Sequence, residues 1–376
     1  MAKQLFVPTF RIEECLDQVR ECLENGWTGL GFKTVEIESR WKEYTKLPFA
    51  HFLNSNTSGL HLALEVFKRR HGWSDGDEVI TTSLTFVSSN HAILYSHLTP
   101  VFADIDEYLC LDPQSIESKI TDKTRAVMFV GLGGNVGQLE AVSKLCKDKG
   151  LKLILDAAHM AGSRFEGKHV GHQADVSVFS FQAVKNLPTA DSGMICFSNE
   201  QDDEHVRKLS WLGINKDTYA RTAAQGAYKW MYDVEELGYK YHGNSVMAGL
   251  ALVGLKYLDL DNSYRRQLAS WYREAFKGVK SVQLVPSTPG VESSQHLFQI
   301  RVSNRDELMG ALNGHDVFPG VHYRDNIQYK LYSDAEGTCP KAREASDRIV
   351  SLPMHLGITK ADVDEIAGLV VRYAKA

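Results

Sequence analysis

The sequence lacks the features that would place this chain in a membrane or on a nucleic acid. No run approaches the roughly 18 consecutive apolar residues that a membrane span needs. The amino terminus, MAKQLFVPTF, has no apolar core of a signal peptide. The net charge is −5, so the basic excess that marks a nucleic-acid-binding surface is missing. We therefore predict a cytoplasmic protein with no membrane and no nucleic-acid partner.

Cysteine is scarce and unpatterned in this chain. The six cysteines are Cys15, Cys22, Cys110, Cys146, Cys196 and Cys339. They form no C-x-x-C pair and no zinc spacing, and the 14 histidines show no metal-ligand spacing either. We expect reduced thiols and no metal site.

Several catalytic motifs are also missing. The chain contains no G-x-x-x-x-G-K-[ST], no H-E-x-x-H and no G-x-S-x-G. GLGGNVG at residues 131–137 follows a predicted strand, but a dinucleotide fingerprint would need glycine where the chain has Val136. The fingerprint also normally follows the first strand of such a fold. We interpret this segment as a glycine-rich loop passing close to a ligand or a neighbouring backbone. The alternative function of a nicotinamide dehydrogenase would have this segment as its sole support.

The chain does show the alternation of strand and helix patterns that is typical of an α/β protein. With 376 residues, the chain is too long for one hydrophobic core, so two domains are expected. Between residues 49 and 181, short runs rich in β-branched and aromatic residues alternate with helical patterns. This alternation indicates βαβ units and a mostly parallel sheet covered by helices on both faces. The predicted strands are 49–53, 76–82, 99–106, 125–130, 151–156 and 176–181, and the predicted helices are 11–25, 34–44, 60–72, 86–95 and 139–149.

The pattern changes after about residue 233. Helices are predicted at 245–259, 264–277, 305–312, 341–349 and 360–373, with short strands at 281–285 and 296–302. Helices segregated from a small antiparallel sheet indicate an α+β arrangement. We predict a large α/β domain over residues 1–243 and a smaller domain over residues 244–376.

The candidate chemistry is concentrated at the ends of predicted strands. The run VSVFSFQAVKNLPTADSG at residues 176–193 delivers Ser180, Gln182 and Lys185 to a carboxyl edge, where an open α/β sheet places its ligands. An isolated lysine there is usually a solvated surface group, so the hypothesis that Lys185 is a Schiff-base amine depends on its neighbours.

Two further segments supply those neighbours, and each has an ordinary alternative. NSNTSG at residues 54–59 precedes a helix, where free amide groups beside Thr57 and Ser58 form an anion site, or where the same residues are a plain N-cap. Asp156 ends the strand LILD, three residues before His159. It would hold a protonated ring nitrogen of a cofactor, or it would cap the following turn.

Taken together, these segments have the order of a pyridoxal 5′-phosphate (PLP) site. An anion site comes first, then an aromatic residue (Phe86), then the carboxylate of Asp156, and finally Ser180 and Lys185. A cofactor that acts as an electron sink needs a phosphate cradle, a stacking ring, a partner for its ring nitrogen and an amine.

The chain resembles the DegT/StrS-type sugar aminotransferases, a branch of the fold-type I PLP enzymes related to aspartate aminotransferase. The resemblance runs through nearly the whole chain. The segments that carry it are GWTGLG, NSNTSGLHLAL, TTSLTFVSSNHAI, PVFADID, LDAAHMAGSRFEGKHVG, ADVSVFSFQAVKNLPTADSG, ELGYKYHGNSVMAGLALVGL, GVHY and CPKAREASDRIVSLPMH. It implies the fold-type I architecture, a homodimer with the active site at the subunit interface, and PLP as cofactor.

The resemblance also implies roles for individual residues. Lys185 would form the Schiff base and then carry protons, and Asp156 would bind the ring nitrogen. His159 would lie near the phenolic oxygen of the ring, and Phe86 would stack on it. Thr57, Ser58 and Ser180 would hold the phosphate, with Gln182 close by. Trp27, Thr28, His322 and Tyr323 lie in segments expected near the substrate, although ordinary loop packing explains each of these four as well.

Two segments depart from the family pattern. In the segment GYKYHGN, which serves the partner's site, the family has Asn where this chain has Lys240 and Arg where it has His242. Lys240 would still meet a phosphate as a point charge. After Lys185 the usual Glu-Gly-Gly turn is replaced by residues 191–193, Asp-Ser-Gly.

The activity implied is transfer of an amino group, with glutamate as donor, to a keto sugar that is usually nucleotide-linked. Two relatives of the same fold are the alternatives. A PLP-dependent sugar dehydratase would have histidine in place of Lys185. A non-catalytic PLP-binding regulator would be expected to have lost Lys185 or Asp156, and this chain keeps both.

Overall fold

A seven-stranded sheet is the centre of the larger part of the molecule. The computed structural model describes residues 2–215 and 232–375. The strands of this sheet are β2 (His51–Leu53), β3 (Glu78–Thr82), β4 (Thr99–Ala103), β5 (Thr124–Val130), β6 (Lys152–Asp156), β9 (Val176–Ser180) and β10 (Gly193–Phe197). Their order across the sheet is β2-β10-β9-β6-β5-β3-β4. Strand β10 runs antiparallel to both of its neighbours, whereas the other neighbouring pairs are parallel. The predicted α/β fold with a mostly parallel sheet is confirmed.

Helices cover both faces of this sheet. They are α1 (Ile12–Glu24), α2 (Phe32–Thr45), α3 (Asn56–His71), α4 (Val87–Tyr95), α5 (Pro113–Lys119), α6 (Leu139–Lys149) and α7 (Glu200–Ser210). Successive residues of β5 show why the strand is apolar throughout. Val127 and Phe129 belong to the core on one face, while Ala126 and Met128 belong to the core on the other. A strand buried on both faces needs a continuous apolar run.

The remaining part of the chain folds around a small sheet. Strands β11 (Gln283–Leu284), β13 (Phe298–Arg301) and β15 (Ile349–Leu352) pair antiparallel in the order β11-β13-β15. Its helices are α8 (Ser245–Ala275), α9 (Arg305–Asn313), α10 (Pro340–Arg348) and α11 (Lys360–Tyr373). Short pairs complete the strands: β1 (Lys3–Gln4) with β14 (Val317–Phe318), and β7 (Arg164–Phe165) with β8 (Lys168–His169) and β12 (Val291–Glu292).

Helix α8 corrects the prediction of two separate helices at 245–259 and 264–277. It continues unbroken from Ser245 to Ala275. Two polar residues lie between the predicted helices, and distant partners satisfy their side chains: Asp261 pairs with Arg11, and Asn262 donates to the carbonyl of Ala161 at 3.0 Å. Tertiary hydrogen bonds thus allow polar residues to lie on a buried helix face.

The long helix packs into both cores. Ala248 and Leu258 lie in the core of the large sheet, whereas Leu268 and Tyr272 lie in the core of the small one. The predicted domain boundary between residues 243 and 244 therefore stays a prediction. The sequence-based prediction lacks strands β1, β7, β8, β10, β12, β14 and β15 and helices α5 and α7, and the ends of several other elements lie a few residues away from their predicted positions.

Candidate active site

Lys185 lies on a tight turn that follows β9. The backbone N–H of Lys185 donates to the carbonyl of Gln182 at 2.8 Å, and the Gln182 side-chain oxygen accepts from the N–H of Val184 at 3.0 Å. Burial lowers the pKa of Lys185 to about 8, although the charge of Asp156 opposes this shift. An appreciable fraction of an amine with a pKa near neutrality is unprotonated at neutral pH, and the unprotonated amine can act as a nucleophile.

Asp156 is the last residue of β6. Strand β6 pairs with β9, which leads to the turn that carries Lys185. The Asp156 carboxylate is buried and accepts from the Ser89 hydroxyl at 2.7 Å, the Ala158 N–H at 3.1 Å and the Asn56 amide at 3.3 Å. Burial raises the pKa of Asp156, and these donors together with Lys185 oppose the rise. The two sequence-based interpretations of Asp156 are therefore compatible, since it caps the turn at Ala158 and still presents a carboxylate at the sheet edge.

The helix α3 begins at the same edge, after β2. Ser55 is the N-cap, and its hydroxyl accepts from the N–H of Ser58 at 3.1 Å. The Ser58 hydroxyl donates to Asn54 at 2.6 Å and contacts the carbonyl of Ser55 at 2.8 Å. The plain N-cap is thus present. Thr57 faces the cavity described next, whereas Ser58 does not line it.

These elements enclose a cavity of about 490 Å³. It is lined by Ser55, Asn56, Thr57, Thr85, Phe86, Ser88, Val130, Asp156, Ala158, His159, Ser180, Gln182, Val184, Lys185, Asp191, His322 and Tyr323. Nearly all of these residues follow the carboxyl ends of β2, β3, β6 and β9, and His322 with Tyr323 closes the cavity from the smaller part of the chain. The structure therefore brings together nine residues that the sequence singled out: Thr57, Phe86, Asp156, His159, Ser180, Gln182, Lys185, His322 and Tyr323.

Two aromatic side chains and a histidine form one wall. The Phe86 ring is 57% exposed and its centroid is 5.9 Å from that of Tyr323. The Tyr323 hydroxyl lies 3.2 Å from Nε2 of His159. Burial, followed by the charges of Lys185 and His322, lowers the pKa of His159 well below its ordinary value. This wall combines two aromatic rings with a neutral imidazole.

Four of the singled-out residues do not line the cavity of their own chain. Besides Ser58, they are Trp27, Thr28 and Lys240. The indole N–H of Trp27 donates to the carbonyl of Leu30 at 2.7 Å. Lys240 is exposed, and its ammonium lies 3.3 Å from the centroid of the Trp211 ring.

Sequence reasoning missed several residues that support the site. Ser89 and Asn56 hold Asp156, and Asn186 and His296 hold the turn that carries Lys185. Asn56 lies in the NSNTSG segment, beside the Thr57 that the sequence singled out. The other three have no pattern in the sequence that marks them, because each acts through a partner far away along the chain.

The residues present fit PLP. Lys185 supplies the amine for its aldehyde, and hydroxyls beside the start of α3 and at Ser180 suit its phosphate. Among the described residues, the groups that donate hydrogen bonds to the buried carboxylate of Asp156 are neutral, so a protonated ring nitrogen would give it a directly bonded cation. A mostly parallel α/β sheet with these groups at one edge defines the class of PLP-dependent transferases.

The comparison with protein families gives the narrower assignment. Residues 11–371 match the model of the DegT/DnrJ/EryC1/StrS aminotransferase family, so the chain belongs to this family and is a PLP-dependent aminotransferase. The predicted resemblance, cofactor and enzyme class are confirmed. The uncharacterized protein MJ1066 of Methanocaldococcus jannaschii is 31% identical over 389 residues, which cover 98% of each chain.

Solved structures agree in fold over the whole chain. The aminotransferase TlmJ from Streptoalloteichus hindustanus has 30% identity and a TM-score of 0.91, covering 99% of this chain and 98% of its own. PseC of Helicobacter pylori, an aminotransferase involved in the biosynthesis of pseudoaminic acid, has 27% identity and a TM-score of 0.91, covering 99% of each chain. Spr1654 of Streptococcus pneumoniae, solved in a PLP form, has 28% identity and a TM-score of 0.88, covering 98% of this chain and 97% of its own.

Over 2–215 and 232–375, no group of three or more His, Cys, Asp or Glu side chains is arranged to hold a metal ion. Within the same residues, no helix has both the length and the apolar character that crossing a membrane requires.

Proposed function

We propose that this aminotransferase moves an amino group from glutamate to a keto sugar, at an active site that two copies of the chain share. The observation that carries the proposal is that Lys185, whose amine has a lowered pKa, and the buried carboxylate of Asp156 line the same cavity of about 490 Å³. The sugar, nucleotide-linked in our proposal, is suggested by the family and by relatives such as PseC.

Six residues that line the cavity have a task in this proposal. PLP, when bound, supplies an electron sink for charge that develops on the substrate carbon. Asp156 keeps a proton on the ring nitrogen. Lys185 would supply the amine that holds the aldehyde of PLP and, once free, would carry a proton to and from the substrate carbon as general base and acid. Thr57 and Ser180 orient the phosphate, with Gln182 nearby, and Phe86 covers the ring and excludes water.

The charge of the cavity supports a homodimer. Among the residues that line it, Lys185 is the one lysine or arginine, and Asp156 and Asp191 are carboxylates. A phosphate and the carboxylates of glutamate would add further negative charge. We propose that Lys240 of a second copy supplies a balancing cation, with Trp27 and Thr28 nearby. Lys240 is exposed and outside the cavity of its own chain, as this role requires.

The location of the enzyme is the remaining part of the proposal. The six cysteines are all buried and unpaired, as suits a reducing compartment. We propose a cytoplasmic enzyme on this ground.

A half-reaction with glutamate tests the proposal. Protein purified with PLP should be yellow, and glutamate should remove the visible absorption as the cofactor takes up the amino group. Lys185→Ala should abolish turnover while PLP still binds weakly, and the control Lys168→Ala, at an exposed lysine of β8, should behave as the wild type. A yellow protein that glutamate leaves unchanged would rule out glutamate as the donor, and activity in Lys185→Ala would remove Lys185 from its role.

A panel of acceptors then addresses the sugar. Nucleotide-linked and free keto sugars should be offered to the enzyme with glutamate as donor, and product amines measured. We expect turnover with at least one nucleotide-linked keto sugar and weaker turnover with the free sugars. Turnover restricted to keto acids would contradict the sugar substrate.

A further inference from the structure

The glycine-rich loop at residues 131–137 takes part in the site through its backbone. Gly133 has a φ of +67°, which is the left-handed region that favours glycine. In this conformation its N–H donates to Nδ1 of His159 at 3.1 Å, and its carbonyl accepts from the N–H of His296 at 3.1 Å. The backbone of Gly133 therefore contacts the ring of His159 and the backbone of His296.

The loop is held in place from several sides. The carbonyl of Gly134 accepts from the hydroxyl of Ser163 at 3.1 Å and from that of Ser293 at 3.0 Å. A Cβ at Gly134 would lie 2.3 Å from the Ser294 hydroxyl oxygen, so a larger residue does not fit there. The N–H of Gly133 is thus a fixed donor.

A fixed donor at Nδ1 determines the tautomer of His159. A backbone N–H can only donate, so Nδ1 must be the unprotonated nitrogen that accepts. A neutral imidazole then carries its hydrogen on Nε2, which lies 3.2 Å from the Tyr323 hydroxyl. The opposite arrangement would place two N–H groups against each other at Nδ1. Burial and the charges of Lys185 and His322 keep the pKa of His159 low, which agrees with a neutral ring.

We propose that the chain Gly133–His159–Tyr323 has one direction, in which Nε2–H of His159 donates to the Tyr323 oxygen and the Tyr323 hydroxyl donates its hydrogen into the cavity. At that point the site would select an oxygen that accepts a hydrogen bond, either on the cofactor or on the keto substrate. His159 is then a positioning residue that stays neutral. The inference needs the aminotransferase cavity but does not depend on which keto compound is the acceptor.

A second histidine provides an internal comparison. The amide nitrogen of Asn186 donates to Asn262 and to the carbonyl of Ser294, both at 2.7 Å, so its oxygen faces Nδ1 of His296 at 2.9 Å. Because that oxygen accepts, His296 carries its hydrogen on Nδ1. The two rings have centroids 4.3 Å apart, yet the structure assigns them opposite tautomers.

Nitrogen NMR of the holoenzyme with ¹⁵N-labelled histidine tests the direction of the chain. The signals of His159 and His296 are identified by their loss in His159→Gln and His296→Gln. We expect His159 to be protonated on Nε2 alone, and His296 on Nδ1 alone, between about pH 6 and pH 9. A proton on Nδ1 of His159, or a doubly protonated ring in this range, would overturn the proposal.

Tyr323→Phe tests the donor into the cavity, with Tyr329→Phe, a half-buried tyrosine outside the cavity lining, as control. If the acceptor is a cofactor oxygen, the pH midpoint of the cofactor's visible absorption should shift by about one unit without substrate. If the acceptor is a substrate oxygen, the pH midpoint of the absorption should not change. The KM for 2-oxoglutarate or for the sugar identified by the panel should then rise about tenfold.

Failure of this proposal differs from failure of the proposed function. If Tyr323→Phe changes neither the spectrum nor any of these KM values, Tyr323 donates to nothing in the cavity and the proposal is wrong. If glutamate fails to bleach the wild-type enzyme, the donor is wrong, but the histidine signals still decide the direction of the chain.

Discussion

Lys185 and Asp156 show how burial changes the chemistry of two ordinary side chains. Burial alone lowers the pKa of Lys185 and raises that of Asp156, and the attraction between the two charges only partly opposes it. A lysine with its usual pKa near 10.4 would be almost fully protonated at neutral pH and therefore a poor nucleophile. The site makes the amine available by excluding water from it.

This shift predicts how covalent capture of PLP depends on pH. In the cofactor-free enzyme, the rate at which Lys185 captures PLP should rise with pH and level off above about pH 8, because the amine loses its proton there. Asp156→Asn should move the midpoint to lower pH, since Asp156 raises the pKa of Lys185. Stopped-flow absorption at a series of pH values measures both.

Asp191→Asn is the matched control for this titration. Asp191 is the other carboxylate in the cavity lining, and it does not contribute to the pKa of Lys185. Its midpoint should equal that of the wild type. A wild-type midpoint above pH 10 would show that Lys185 is not desolvated and would contradict the proposed site.

At the scale of elements, α8 supports the active site from behind the lysine turn. Asn262, on this helix, is fully buried and accepts from the Asn186 amide at 2.7 Å, while its own amide donates to the carbonyl of Ala161. One side chain thus ties α8 both to the turn carrying Lys185 and to the segment after Asp156.

Asn262→Ala should destabilise the enzyme through these lost bonds. The amide of Asn186 and the carbonyl of Ala161 would each lose a partner in a buried place, which costs about 1–3 kcal/mol per group. Thermal unfolding should show a clear fall in Tm, and PLP should dissociate faster. Ser263→Ala, at the exposed neighbouring position, should leave both unchanged. An unaltered Tm in Asn262→Ala would show that these contacts contribute nothing.

A buried carboxylate links α2 to its neighbours in a similar way. Glu38 accepts from His51 and from the N–H of Phe52, both at 2.9 Å, and from Arg207 of α7 at 2.8 Å. Burial raises the pKa of Glu38, but Arg207, His51 and the Phe52 amide outweigh it and lower the pKa to about 2. The carboxylate is therefore more stable as an anion in the folded protein than in the unfolded chain.

The sign of this shift predicts the response to acid. The contribution of Glu38 is fully present above its unfolded pKa of 4.5 and is lost as the pH falls toward 2. Its size is about 3 kcal/mol. Glu38→Gln should lower the free energy of unfolding at pH 7 by this order and make stability fall less steeply between about pH 5 and pH 3. Denaturant unfolding at several pH values tests this, with the exposed Glu43→Gln on the same helix as control.

At the scale of the whole molecule, the proposed homodimer would complete each active site with residues from both copies. Lys185 would come from one copy and Lys240 from the other. If so, a mixed dimer of Lys185→Ala and Lys240→Ala subunits has one site with both substitutions and one site with neither. A mixture of two monomeric variants would contain no site that is free of both substitutions.

Complementation between the two variants tests this arrangement. Lys185→Ala and Lys240→Ala should each be strongly impaired alone, and refolding them together in equal amounts should restore about one quarter of wild-type activity, since half of the dimers are mixed. A purification tag on one of the two variants measures how much mixed dimer has formed. No recovery with Lys240→Ala, alongside efficient exchange, would place Lys240 in its own chain's site or outside catalysis.

The sequence by itself determined the alternation of strands and helices and the residues that follow the strand ends, and with them the predicted site. Because the carboxyl ends of parallel strands meet at one edge of a sheet, Thr57, Phe86, Asp156, Ser180 and Lys185 had to lie close together once the alternation of strands and helices was recognised. Local pattern is enough for this step, since each strand carries its own apolar run.

Only the tertiary structure decided how these groups are held. The Ser89 hydroxyl that bonds Asp156 lies 67 residues before it, and Tyr323 lies 164 residues after His159. Such partners leave no local pattern, because a hydrogen bond between distant segments depends on packing and not on spacing along the chain. The same reason explains the unbroken helix α8 and the role of Gly133. A backbone N–H leaves no mark in the sequence, and only the fold places that of Gly133 against His159.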